Sequence, residues 1–147
     1  MKVSQIGLDL IAEFEGFRSK AYQDIVGVWT IGYGTTFYHN GRRVKQGDTI
    51  TKEDAFIHLE NVANSFLETV ESYVKAELTQ NEIDAIASLI YNVGTGNFIK
   101  STLLKKINAE LFDEAGNQFL RWNRAGGKEV AGLTRRREAE RELFLSK

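Results

Sequence analysis

The chain contains no cysteine. No disulfide holds it together, and it can fold in a reducing compartment. Long apolar runs are missing too. The longest, such as residues 85–90, stop far short of the roughly 20 residues that a membrane-spanning helix needs. The first five residues lead straight into a patterned helix bearing Asp9 and Glu13. They lack the apolar block and small-residue cleavage site of a secretory signal. There are only two histidines, His39 and His58, with no acidic or cysteine pattern around them. That arrangement predicts no zinc site. A phosphate-binding glycine loop and a Gly-x-Ser-x-Gly elbow are also absent. No metal, cofactor or nucleic acid is expected.

What remains is a globular composition. Hydrophobic residues make up 42% and charged residues 27% of 147, enough for a sizeable core in one compact domain or two small lobes. The net charge is −1 but unevenly spread: residues 121–147 hold eight Lys/Arg against four Asp/Glu. This basic segment favours anionic partners, although for any single Arg a solvated helix face with local ion pairs is the plainer reading.

Hydrophobic spacing predicts a helix over 4–15, with Ser4 as cap, Val3 and Leu8 as a staple, and Gly16 as the left-handed stop. Residues 17–47 are rich in β-branched and aromatic types punctuated by glycine, with Asn40-Gly41 as a hairpin turn. They predict about three short antiparallel strands. Thr51 opens a long helix reaching about residue 75, and Thr79-Gln80-Asn81-Glu82 is a capping box for the next. Further helices fit 101–108, 110–122 and about 134–145, with Gly126-Gly127 separating the last two. The expected class is α+β: a sheet lobe at about 17–50, a long connecting helix, and a helical lobe at about 60–147 that includes the N-terminal helix. The cleft between lobes is the expected ligand site.

Glu15 falls at the C-terminal end of the first helix, where the helix dipole and the neighbouring Phe14 and Phe17 disfavour a charged carboxyl. A carboxyl held protonated suits a general acid. Asp24 lies in a turn and Thr30 in a strand, both ordinary places for those residues. None of the three stands out alone. Their surroundings change the weighing. Glu15-Gly16-Phe17-Arg18, Ala21-Tyr22-Gln23-Asp24 and Gly27-Val28-Trp29-Thr30-Ile31-Gly32-Tyr33-Gly34 resemble the phage-type lysozymes, glycoside hydrolase family 24. Leu78-Thr79-Gln80-Asn81-Glu82, Tyr91-Asn92-Val93-Gly94, Arg121-Trp122 and Arg135-Arg136-Arg137 continue the resemblance over nearly the whole chain. Thr35 is a departure, since many relatives carry His there.

The resemblance implies a single lysozyme-like catalytic domain over 1–147 that cuts the β-1,4 bond between N-acetylmuramic acid and N-acetylglucosamine in peptidoglycan. It implies Glu15 as the acid, with Asp24 and Thr30 placing the attacking water. Tyr33, Gly34, Tyr91 and Asn92 are the substrate-binding candidates, with core packing an equal reading for Tyr91. Trp29 and Trp122 read as core residues. One of Arg135–Arg137 is expected to approach Glu15, where it would favour the charged carboxyl and oppose the helix dipole. The implied setting is a monomer that waits in the host cytoplasm until a holin opens the membrane. Three alternatives remain: a lytic transglycosylase, a non-catalytic wall-binding module, and membrane contact by the basic C-terminal helix, weakened by its interleaved Glu138, Glu140 and Glu142.

Overall fold

A computed structural model describes all of residues 1–147. Helix α1 (Gln5–Glu15) leads into strands β1 (Arg18–Gln23) and β2 (Trp29–Gly32), then α2 (Lys52–Ser65) and α3 (Leu67–Tyr73). The helical lobe follows as α4 (Gln80–Val93), α5 (Thr95–Ile99), α6 (Thr102–Asn108), α7 (Phe112–Gln118) and a 3₁₀ turn at Phe119–Arg121. A hairpin of β3 (Arg124–Ala125) and β4 (Lys128–Glu129) precedes α8 (Ala131–Leu145). The class is α+β, as expected.

Helix α4 is the centre of the helical lobe. Every residue from Glu82 to Ile90 is buried, and the helix packs against α8, α1 and α2. Each fully buried Leu or Ile in it contributes about 1.5–3 kcal/mol relative to exposure. Its start is fixed by the predicted capping box: Thr79 Oγ1 accepts from Glu82 N at 3.2 Å, and Glu82 Oε1 accepts from Thr79 N at 2.7 Å.

Ser4 behaves differently from expectation. Its hydroxyl makes no cap to α1. It donates to Asp84 Oδ2 instead, and its backbone N–H donates to Oδ1 at 2.9 Å. Asp84 is fully buried, so the stronger demand is to satisfy that carboxylate, and Ser4 thereby ties the start of α1 to α4. Gly16 ends α1 at φ 73° but with an extended ψ of 150°.

The sheet lobe is more fragmented than three strands. β1 and β2 pair antiparallel, while Lys20↔Thr49, Ile31↔Thr35 and Phe37↔Arg43 pair as isolated bridges. Gly32 at φ 65° ends β2, and a Cβ there would lie 2.9 Å from Ala55 Cβ on α2. Helix α2 thus presses on the sheet where only glycine fits. The expected helix to residue 75 also breaks, at Phe66. Ser65 Oγ donates to Val62 O at 2.6 Å and Phe66 N bonds back only three residues, to Ala63 O. Such back-bonding bends a helix. The Gly126-Gly127 spacer carries a hairpin not foreseen from sequence.

Candidate active site

Glu15, at the end of α1, has its side chain 20% exposed and faces two elements at once. On one side is Gly34 (φ 89°), where a Cβ would stand 3.2 Å from Glu15 Oε1. Glycine there leaves room for the carboxylate. On the other side is α8. Arg136 Nη1 donates to Glu15 Oε2 at 2.6 Å. Arg136 is therefore the member of the arginine run that reaches Glu15, whereas Arg135 faces solvent.

Arg136 belongs to a buried charge cluster. Its Nη2 donates to Ser88 O at 3.0 Å, and its Nε to Glu140 Oε2 at 3.3 Å. Arg137, fully buried, donates from Nη2 to Glu140 Oε2 at 2.9 Å and from Nη1 to Asn92 Oδ1 at 2.9 Å. Its Nε lies 2.6 Å from Glu140 Oε1, an ionic contact poorly aligned with the N–H. Ser88 Oγ donates to Glu140 Oε2 at 2.5 Å. Burial pushes the Glu140 carboxyl up, against the pull of Arg137 and Arg136. Two carboxyls and two guanidiniums thus balance in charge, as a buried cluster must. Sequence reading missed Ser88, and it named Arg137 and Glu140 without pairing them. The available signal was helical spacing: Glu140 is i+4 from Arg136 and i+3 from Arg137, on one face of α8.

Asp24 sits exposed in the turn between β1 and β2. Its Oδ1 accepts from Val26 N at 3.0 Å and Val28 N at 2.8 Å. Those bonds fix the turn while Oδ2 faces solvent. Thr30, on β2 and 5% exposed, donates from Oγ1 to Val28 O at 3.0 Å. Val28 therefore links the two: its N–H goes to Asp24 and its carbonyl to Thr30.

The four binding candidates divide. Gly34 is exposed beside Glu15, and Asn92 is exposed with its Oδ1 held by Arg137. Asn92 borders a cavity of about 480 Å³ with Arg121, Trp122 and Arg124. Tyr33 is only 4% exposed, its ring packed against Phe17 and Phe56. Tyr91 is half-buried; its hydroxyl donates to Tyr33 O at 2.6 Å and its ring meets Phe66 edge-on. Burial, and next the charge of Glu15, push that phenol above its usual range. Both rings do packing work, and the Tyr91 hydroxyl bridges the lobes. Thr35 is buried with its hydroxyl unpartnered.

The family model for phage lysozyme matches residues 12–140. The chain belongs to the phage lysozyme family. It is 43% identical to an endolysin of Bacillus phage B103 over 148 residues, 99% of this chain and 55% of that one. It therefore spans about half the length of that relative. It is also 43% identical to an endolysin of Acyrthosiphon pisum secondary endosymbiont phage 1, with 99% of both chains covered. Among solved structures, a point mutant of P22 lysozyme superposes with a TM-score of 0.90 at 38% identity over 99% of both chains. The family's fold and its glycoside hydrolase chemistry frame the geometry above.

Proposed function

We propose that the whole chain is a single catalytic domain that hydrolyses the β-1,4 bond between N-acetylmuramic acid and N-acetylglucosamine in peptidoglycan, lysing the host cell at phage release. The observation that carries this reading is the Glu15–Arg136 pair at 2.6 Å, beside an exposed glycine. Glu15 acts in its protonated form: it gives its proton to the departing glycosidic oxygen, and the carboxylate so formed returns to its ion pair with Arg136. Asp24, with one oxygen held by the backbone and one facing solvent, orients and deprotonates a water. Thr30 holds that water from the adjoining strand. A water placed between two carboxyls corresponds to the inverting route, read directly from the anomer first released. Gly34 and Asn92 contact the glycan, and Tyr33 and Tyr91 form the wall behind it. The protein works as a monomer, held in the host cytoplasm until a holin admits it to the wall.

The test compares wild type and Glu15→Gln on purified sacculi, with released sugars identified by mass spectrometry. Reducing-end products from wild type and almost none from the variant are expected. Anhydro sugars would transfer the chain to the transglycosylases. Binding to sacculi without any release would make it a wall-binding module.

A further inference from the structure

The fold brings together the two histidines that sequence spacing leaves nineteen apart. His39 lies in the loop bridged by Phe37 and Arg43, and His58 lies on α2. Their Nδ1 atoms are 3.3 Å apart, and their rings lie 4.8 Å apart at 29°. Both border a cavity of about 460 Å³.

We propose that His39 and His58 form a binding site for a borderline divalent transition ion such as Zn²⁺, clamping the loop onto α2. Two Zn–N bonds of about 2.0–2.1 Å at a tetrahedral angle hold their nitrogens about 3.3 Å apart. The two Nδ1 atoms already lie 3.3 Å apart, so ring rotation can bring both to one ion. Imidazole nitrogen favours zinc, nickel and copper over magnesium. No third His, Cys, Asp or Glu completes the set, so water fills the remaining positions from the open cavity. The rings lie nearly face to face, and each must turn about its Cβ–Cγ bond to aim its lone pair at one point. His39 is exposed and free to do so.

The surroundings supply negative charge for a nearby cation. Asp54, one turn earlier on α2, contributes negative charge at His58. Asp48 is already engaged by the Tyr38 hydroxyl at 2.8 Å and by Lys45 N at 3.1 Å. Arg42, the one fixed cation bordering the cavity, lies over the Tyr38 ring at 5.8 Å. The inference stands independently of the catalytic reading, because its site holds neither Glu15 nor Asp24.

Untagged full-length protein would be titrated calorimetrically with ZnCl₂, NiCl₂ and MgCl₂, beside His39→Ala and His58→Ala. Wild type should bind one Zn²⁺ or Ni²⁺ per chain, ignore Mg²⁺, and melt at a higher temperature with metal, reversibly on adding EDTA. Each variant should bind more than about tenfold more weakly. His39→Ala removes an exposed ring, so it tests the site even where His58→Ala fails to fold. Zinc binding unchanged in His39→Ala would overturn the proposal. So would absence of zinc binding in wild type, which would leave the pair a shared-proton contact.

Discussion

Arg136 on α8 and Glu15 on α1 are joined by a 2.6 Å hydrogen bond across 121 residues of sequence. The arginine is almost wholly buried and holds Glu140 and Ser88 O as well. Replacing Arg136 with Met leaves two carboxyls facing one guanidinium. Loss of about 3 kcal/mol is expected, as for other broken buried pairs, with turnover falling too. Urea unfolding and wall-lysis rates on one preparation check both. Native stability would show that the pair carries no net energy.

Gly34→Ala is expected to harm activity more than stability. Its positive φ makes a side chain cost about 1–2 kcal/mol, and the new methyl would crowd Glu15 Oε1 at 3.2 Å. A melting curve beside a sacculus-release assay separates the two effects. Full activity in the folded variant would remove Gly34 from the site.

Stability should fall as pH drops below about 6.5, the ordinary histidine value. His58 is held below that value by burial and by His39. The unfolded chain therefore takes up a proton first, and native stability is lost as pH falls through the folded value. Urea midpoints between neutral pH and pH 5 should show a slope that shrinks in His58→Gln. An identical slope in the variant would assign the effect to other groups.

Thr79→Ala removes the cap on α4. It should cost about 1 kcal/mol and lower the melting temperature by about 2–4 °C. Activity should be unaffected at low temperature. Calorimetry and a cold lysis assay check this.

These cases mark what the sequence made legible. The Thr79 box is local chemistry: four adjacent residues state it, and the structure matches. Glu15, Asp24 and Thr30 had no such local signature, and only the resemblance singled them out. The choice among Arg135, Arg136 and Arg137 was closed to sequence reading because neighbours on a helix point about 100° apart. Only knowledge of what α8 packs against says which one looks inward. Ser4 shows the reverse case. It matches a cap locally, yet a buried aspartate eighty residues away claims it. The His39–His58 contact needs the loop and α2 to meet, a tertiary event with no local pattern.

The cation beside Glu15 is supplied from α8, long after the ribosome has made Glu15, Asp24 and Thr30. A nascent chain that has not yet emerged past residue 136 carries Glu15 without its cation and α4 without the helix that covers it. The charge cluster and the cover over α4 therefore arrive with one helix. Order of synthesis alone keeps chains that lack α8 from forming the Glu15–Arg136 pair.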